Sequence, residues 1–517
     1  MKEQGKVWLV GAGPGDAGLL TLKGRRILQN AELVLYDNLV GPGVLSLLPP
    51  AAETMYVGKS AGKHALSQHE LNSLMVQKAR EGKQVVRLKG GDPFLFGRGG
   101  EEAEELEKNN IPFEVVPGIS AAIAVPEYFG IPLTHRDCCS QVHIVTAHGR
   151  EDAAGLAINW KALVQAGGTL VIFMGLSSAE TVCRSLMEAG LPPSTLTAVL
   201  EQGTSARQKK LVTTLEKLAA EAKERPFKPP ALIVIGEVCG YSDKLSWYEK
   251  KPLAALRIGI TRPRNRSGEL FNLLSDAGAE VIQIPVIQTR IIPETPRLRE
   301  TLQEMAVAGG APHAAGKAGT GWFVFTSPAG VEIFFEKLKT YGIDIRKLRA
   351  ARFAAIGKTT ASELESRGIL VDVIPEHFSG ADLSGALLKE LQPGDRAVLP
   401  RSSMGGAFIV DELTRAGITC LDIPIYDTIT GIGPAVPLHW DHLIEGLDLC
   451  VFTSGSTVEG FASLFGAGTL QGLKAFCIGK ETADAAARYR AKTFIAENAA
   501  MEAIVQGIID AKNGGLL

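Results

Sequence analysis

Arg87-Leu88-Lys89-Gly90-Gly91-Asp92-Pro93-Phe94-Leu95-Phe96-Gly97-Arg98-Gly99-Gly100-Glu101-Glu102 is the stretch on which the reading of this chain turns. It continues the apolar pair Val85-Val86. A short apolar run that ends in glycines reads as a buried strand opening into a loop at its carboxyl end. Gly90 and Gly91 let a ligand approach the backbone. Asp92 offers acceptors to hydroxyl or ammonium groups. It has no partner carboxylate at metal spacing, which argues against a magnesium site. Ligands of open α/β sheets bind beyond the carboxyl ends of strands, so this loop is a candidate site.

The same grammar recurs on both sides. Residues 7–10 run into Gly11-Ala12-Gly13-Pro14-Gly15-Asp16-Ala17-Gly18, and further short apolar runs lie at 170–173, 232–235, 258–261, 323–326, 397–399 and 450–453. Longer amphipathic stretches separate them, which predicts an α/β chain with largely parallel sheets. Gly13, Gly15 and Gly18 formally satisfy G-x-G-x-x-G, with Asp37 about 20 residues further on. A nicotinamide site is therefore one alternative. Pro14 counts against it, because it sits where a dinucleotide turn needs a backbone that approaches pyrophosphate as the helix begins.

Composition bounds the rest. At roughly 100–200 residues per domain, 517 residues make three or four compact units. A hydrophobic share of 45% with 21% charge is that of an ordinary globular protein. The net charge of −2 sets up no field for nucleic acid or an acidic membrane, so local basic groups must hold any anionic substrate. The opening MKEQGKVWLV has no signal-peptide pattern, and no apolar run is long enough to span a bilayer, so a cytoplasmic location is expected. The seven cysteines form no CxxC pair and no Cys/His cluster at zinc spacing. They read as reduced, buried thiols, with no metal site.

A boundary is expected near 240–256, where a polar stretch with Trp247, Lys250, Lys251 and Pro252 precedes a new strand. Residues 306–321, rich in Ala and Gly, read as a surface loop. The second half repeats itself. Val324-Phe325-Thr326-Ser327 returns 127 residues later as Val451-Phe452-Thr453-Ser454, and Ile356-Gly357-Lys358 returns 122 residues later as Ile478-Gly479-Lys480. Two elements repeating in order predict two similar α/β lobes, each offering strand–turn–helix junctions whose N–H groups can bind anions. Chance matches between common junctions are the competing explanation.

With these motifs in view, the first half resembles the tetrapyrrole methylases, and within them the uroporphyrinogen-III C-methyltransferases. The resemblance rests on residues 10–23 (VGAGPGDAGLLTLK), 36–37, 57–59 (VGK), 87–102, 116–120 (VPGIS), 130–136 (GIPLTHR), 173–175 (FMG), 201–204 (EQGT) and 234–238 (VIGEV). It implies an S-adenosylmethionine site made of loops between two α/β subdomains. Pro14, Gly90, Gly91, Asp92, Leu95, Ser120, Ala121, Met174 and Gly203 occupy the family's cofactor-contact positions, and Asp37 and Lys59 its proposed acid–base positions. Where the family often has Glu-Asn-Gly this chain has Glu201-Gln202-Gly203, which puts the side chain at 202 in doubt but not the glycine.

A methyl sulfonium needs only a nucleophilic carbon placed in line with it, so this catalysis is mostly positioning. The methylated ring must then shed a proton, which requires a general base. Asp37 is the candidate; its plainer reading is a turn or helix-cap aspartate. Lys59 either moves protons or binds a substrate carboxylate. The tetrapyrrole is a polycarboxylate, so cations must line its cleft. Arg98, Arg136, His148 and Arg150 are candidates, though each alone also reads as a solvated surface group.

The second half resembles uroporphyrinogen-III synthase through residues 261–263 (TRP), 324–327, 355–364, 378–380 (FSG), 424–426 (PIY) and 453–456 (TSGS). That family implies a cleft between lobes in which hydroxymethylbilane loses water and closes with ring D inverted. Thr326, Ser327, Thr453 and Ser454 sit at candidate strand ends as substrate-binding residues. Tyr426 occupies the family's tyrosine position and is a candidate weak acid for hydroxyl departure, or else a hinge-packing residue. The expected organisation is a methyltransferase over 1–245, a linker over 246–256 and a synthase over 257–517. Within the synthase, lobe one takes about 257–288 and 426–512, and lobe two about 289–425.

The resemblance therefore implies a bifunctional enzyme that forms uroporphyrinogen III and transfers two methyl groups to it, giving precorrin-2 for sirohaem or cobalamin. It also implies a homodimer through the methyltransferase half, with small-molecule tetrapyrroles as partners rather than nucleic acid or membrane. The alternative is a nicotinamide-dependent oxidoreductase carrying a non-catalytic two-lobe binding module.

Overall fold

Val85–Lys89 is buried at every position. Such a run suits an inner strand covered by helices on both faces. The computed structural model describes residues 4–49, 51–58, 66–147, 158–263, 267–308, 321–376, 379–392, 394–431, 444 and 446–517. The first sheet holds β1 (Val7–Gly11), β2 (Leu33–Tyr36), β3 (Glu53–Tyr56), β4 (Val85–Lys89) and β5 (Phe113–Val116). Its order is β3-β2-β4-β1-β5, and every pairing is parallel. Alternate residues serve opposite faces. Val7, Leu9, Leu33 and Leu35 pack with Leu71, Met75 and Leu106, whereas Val10, Val34, Tyr36 and Leu88 pack with Leu28 and Val44.

The second sheet holds β6 (Val142–Thr146), β7 (Thr169–Phe173), β8 (Leu196–Glu201), β9 (Lys209–Thr214) and β10 (Ala231–Ile235), in the order β6-β7-β10-β8-β9. Here the expectation of parallel pairing fails. Only β6 and β7 run parallel; the other pairings are antiparallel. The short connection from β8 to β9 accounts for one reversal, because neighbouring strands joined by a few residues must reverse direction, and β10 is inserted antiparallel between β7 and β8.

The second half contributes β11 (Arg257–Ile260), β12 (Glu280–Gln283), β13 (Ile287–Ile291), β14 (Gly321–Phe325), β15 (Arg352–Ala355), β16 (Arg396–Ser402), β17 (Thr419–Thr430), β18 (Leu449–Phe452), β19 (Lys474–Cys477) and β20 (Lys492–Ile495). They form two sheets, β12-β11-β18-β19-β20, all parallel, and β13-β17-β16-β14-β15, parallel except for β13 with β17. The sequence repeat is a structural one. β14 leads into the helix Pro328–Thr340 and β18 into the helix Gly455–Phe465, with Ser327 and Ser454 as their N-caps.

The chain forms two compact units, 1–286 with 431–517 and 287–430. The expected lobe limit of about 425 falls short. β17 continues to Thr430 because β13 pairs with it from Ile287 to Ile291, so Tyr426 lies in the sheet of the 287–430 unit and not in lobe one. The loop expected over 306–321 begins later than read, since the helix Pro296–Ala308 runs to its end at 308; residues 309–320 lie outside the described residues.

Candidate active site

Three glycine-bearing loops meet at the carboxyl ends of β1, β4 and β5. Gly13 and Gly91 exchange backbone hydrogen bonds, Gly91 N donating to Gly13 O at 2.7 Å and Gly13 N to Gly91 O at 3.2 Å. Gly91 has φ +67° and Gly13 φ +75°, conformations that favour glycine. A Cβ on Gly118 would stand 2.2 Å from the Gly91 carbonyl oxygen and 2.7 Å from the Gly11 Cα. Asp92 organises the junction. Its Oδ1 accepts from Phe94 N and Leu95 N at 2.8 and 3.2 Å, and its Oδ2 from Gly118 N at 3.1 Å. The carboxylate expected to meet a ligand thus spends most of its acceptor capacity on the loop. Gly90 packs under Leu39, and Pro14 sits half-buried beside Gly13.

Across from these loops stand residues of the second sheet and its approaches. Ser120 caps the helix Ala121–Tyr128 by accepting from Ala122 N at 3.2 Å, so the N-terminus of that helix, with Ala121 at its first position, lies by Gly91. The rings of Phe96 and Phe173 are 5.3 Å apart. Met174, next after β7, has φ +53° and a side chain 48% exposed. Gly203 lies between Gln202 at φ +46° and Thr204 at φ +68°, and a Cβ on it would meet Val125 at 2.4 Å. Left-handed backbone at Met174, Gln202 and Thr204 marks strain of the kind that collects at functional sites. The glycine cradle, the apolar rim of Leu39, Phe94 and Met174 and the nearby helix N-terminus together fit a small ligand with an apolar body and a carboxylate.

Asp37 follows β2. Its Oδ1 accepts from Leu39 N at 3.1 Å, the turn role weighed against it, while its Oδ2 pairs with Arg87 Nη2 at 2.8 Å. One oxygen thus serves the turn and the other the ion pair, the side chain being 19% exposed. Arg87 also reaches Glu102 Oε1 at 3.2 Å, and Lys89 Nζ lies 2.8 Å from the same oxygen. Glu102 is fully buried, and its Oε2 has no hydrogen-bond partner among the described residues. Burial, then the Arg87 charge, pulls the Lys89 ammonium below its ordinary pKa, against the opposing pull of Glu102. Sequence reading missed Arg87 and Glu102. The available signal was the pair of cations at alternate positions of an otherwise apolar strand, because buried charges require partners.

The remaining candidates scatter. Arg98 is exposed and forked onto Glu101 at 2.6 and 2.9 Å, a local surface pair. Arg136 is exposed. Lys59, His148 and Arg150 lie outside the described residues.

In the 287–430 unit, Thr326 is half-buried after β14. Ser327 Oγ accepts from Gly330 N at 3.0 Å and lies 2.8 Å from the Tyr426 hydroxyl. In the other unit, Thr453 is likewise half-buried after β18, and Ser454 Oγ accepts from Thr457 N at 3.3 Å and pairs with Ser456 Oγ at 2.9 Å. Each junction presents the free N–H groups of a helix N-terminus beside hydroxyls, an arrangement that receives carboxylates.

The nicotinamide reading finds no support in this geometry. The first sheet's order departs from that of a dinucleotide fold, and the loop after β1 leads into a short 3₁₀ turn, Ala17–Leu19, before the helix Leu22–Gln29.

Comparison with known proteins gives two family matches, Tetrapyrrole (Corrin/Porphyrin) Methylases over residues 6–219 and Uroporphyrinogen-III synthase HemD over residues 268–506. The porphyrin biosynthesis protein HemD of Ruminiclostridium josui is 38% identical over 515 residues, covering 99% of each chain. An S-adenosyl-L-methionine-dependent uroporphyrinogen III methyltransferase of Methanosarcina barkeri is 51% identical over 241 residues, 47% of this chain and 94% of that one. A crystal structure of the Thermus thermophilus uroporphyrin-III C-methyl transferase complexed with S-adenosyl homocysteine is 39% identical, covers 45% of this chain and 98% of that one, and superposes with a TM-score of 0.40.

Proposed function

Since the chain belongs to the tetrapyrrole methylases through its first half and to the HemD-type uroporphyrinogen-III synthases through its second, we propose a bifunctional enzyme of tetrapyrrole synthesis. The second half closes hydroxymethylbilane to uroporphyrinogen III, with ring D inverted. The first half then transfers two methyl groups to that product, giving precorrin-2 for sirohaem or cobalamin. The observation that carries this reading is the match of the two family models to separate halves of the chain, in a chain alike over 99% of both lengths to the porphyrin biosynthesis protein HemD of Ruminiclostridium josui.

S-adenosylmethionine, when bound, supplies an electrophilic methyl on a sulfonium. The residues that would hold it are Pro14, Gly90, Gly91, Asp92, Leu95, Ser120, Ala121, Met174 and Gly203. Among these, Asp92 shapes the loop, the glycines give backbone access and Ser120 orients a helix N-terminus. Asp37 takes the proton that the methylated pyrrole carbon sheds. Arg87 holds the Asp37 carboxylate in one orientation through their ion pair at 2.8 Å. Lys59, Arg98, Arg136, His148 and Arg150 are proposed to meet the substrate's carboxylates, Lys59 also as a proton carrier.

In the synthase half, the junctions at Thr326-Ser327 and Thr453-Ser454 bind acidic side chains of the substrate, and Tyr426 donates its proton to the departing hydroxyl. The proposed division is a methyltransferase over 1–245 and a synthase over 257–517, joined through 246–256. The assembly is proposed to be a homodimer through the methyltransferase half, working in the cytoplasm. Among the described residues no helix is long and apolar enough to cross a membrane.

The test is an anaerobic incubation with hydroxymethylbilane and methyl-labelled S-adenosylmethionine, with products separated by mass and isomer. A doubly methylated type III product is expected. Unlabelled type III product alone removes the methyltransferase assignment, and type I macrocycle alone removes the synthase assignment.

A further inference from the structure

Residues 246–256, expected to be a linker, are packed in place. The Tyr248 ring lies 4.7 Å from that of Tyr128, and its hydroxyl donates to Gly278 O at 3.1 Å. Tyr128 in turn donates to Asp16 Oδ2 at 2.7 Å. A path of hydrogen bonds and a tilted ring contact thus runs from the first glycine loop of the methyltransferase, through the connecting segment, to the turn before β12 of the synthase.

A second path reaches the same place from the other proposed cofactor loop. Asp16 N donates to Thr204 Oγ1 at 3.3 Å, next to Gly203. Two residues on, Ala206 N donates to Glu280 Oε2 at 2.9 Å. Glu280 lies on β12 with a side chain 8% exposed, and the same oxygen accepts from Arg257 Nε at 3.1 Å. Arg207 Nη2 meets Asp448 Oδ1 at 3.1 Å and Gly446 O at 2.8 Å, and Asp448 Oδ2 accepts from Arg257 N at 2.7 Å. Glu280, Arg257 and Asp448 all belong to the synthase half, so two of its carboxylates hold successive residues of the methyltransferase loop 203–207.

That loop has reason to need holding. Gln202 and Thr204, on either side of Gly203, are non-glycine residues at positive φ. Such conformations persist only where surrounding contacts over-determine them. We infer that Glu280 of the synthase half is a positioning residue for methyl transfer, bracing the Gly203 loop in the shape that receives S-adenosylmethionine. The inference rests on the methyltransferase assignment above. It makes the synthase lobe a structural part of the cofactor site rather than a passenger on a tether.

The experiment uses the full chain. S-adenosylhomocysteine affinity is measured by calorimetry, the KM and kcat of methyl transfer are measured separately, and hydroxymethylbilane cyclisation serves as the control. Glu280→Ala, which leaves Ala206 N without its acceptor, is expected to weaken S-adenosylhomocysteine binding about tenfold and to raise KM for S-adenosylmethionine with kcat kept. Glu280→Gln retains an acceptor oxygen and is expected to bind within about twofold of the unaltered chain. Cyclisation is unchanged in both. Affinity in Glu280→Ala equal to that of the unaltered chain overturns the inference. If Glu280→Ala loses cyclisation as well, Arg207→Ala decides, because it cuts the brace from the methyltransferase side: weakened binding with normal cyclisation supports the brace, and unchanged binding overturns it. No S-adenosylhomocysteine binding by the unaltered chain sinks the methyltransferase assignment itself, and the brace with it.

Discussion

The hydroxyls of Ser327 and Tyr426 lie 2.8 Å apart, joining the second residue after β14 to β17. Ser327 Oγ also accepts from Gly330 N, so one oxygen caps the helix Pro328–Thr340 and touches the proposed acid. Tyr426 is 6% exposed. A phenol fixed in this way is held in one orientation, which suits a proton donor.

From that arrangement, Tyr426→Phe should slow cyclisation about 100-fold or more, the lower range for loss of a general acid, with the fold intact. Steady-state cyclisation rates check this, and a normal rate removes the acid role. Ser327→Ala should cost about 1 kcal/mol of stability through the lost cap as well as any effect on rate. A thermal melt separates the two contributions.

Asp37→Ala and Asp37→Asn should both abolish methyl transfer to within the sensitivity of a label assay while S-adenosylhomocysteine still binds, since the asparagine keeps a partner for Arg87 but accepts no proton. Turnover by either variant at the unaltered rate removes Asp37 from the mechanism.

Arg87→Met should be more damaging to folding than Asp37→Ala. It leaves the buried Glu102 carboxylate with Lys89 as its remaining close cation, and breaking one side of a buried pair costs about 3–5 kcal/mol. Arg87→Lys should rescue it poorly, because one ammonium cannot span Asp37 and Glu102 as the forked guanidinium does. Chemical denaturation midpoints of the two variants, compared with Asp37→Ala, give the order.

Gly118→Ala should disrupt the cofactor loops. The new methyl would meet the Gly91 carbonyl and the Gly11 Cα, backbone atoms with no rotamer to yield, and overpacking of this type costs about 1–3 kcal/mol. A melting temperature lowered together with S-adenosylhomocysteine affinity is the expected pair of observations. An unaltered affinity would show that the three loops do not form the site.

Burial pushes the Cys183 thiol up to about 11 and Cys239 to about 12, from an ordinary 9.0. The folded chain therefore keeps protons that the unfolded chain releases above pH 9. Their contribution to stability is full below that pH and is lost as pH rises toward 11 and 12. Denaturation midpoints should fall over this window, by an amount on the order of 1 kcal/mol per pH unit for each thiol at most. Alkylation at pH 8 followed by peptide mass mapping should label the partly exposed Cys138 and Cys139 well before Cys183 and Cys239.

What the sequence determined by itself is local. Strands β1, β4, β10, β11, β14 and β18 were legible because a short apolar run ending in a glycine or hydroxyl residue states both its burial and its end, whereas β7 and β16 were legible from the apolar run alone, and β16 continues to Ser402 beyond it. The repeat at Ser327 and Ser454 was legible because a capping serine precedes each helix in the chain itself. The tertiary structure alone decided the rest. Strand direction in the second sheet, the extension of β17 through Thr430 and the forking of Arg87 onto Asp37 and Glu102 each depend on a partner that no local window contains. The hold of Glu280 on Ala206 spans 74 residues, and that of Asp448 on Arg207 spans 241. Periodicity reports which face of an element is buried, but a hydrogen bond between distant residues exists only once folding has paired their elements, and it is these long-range pairs that orient the proposed base, acid and cofactor loop.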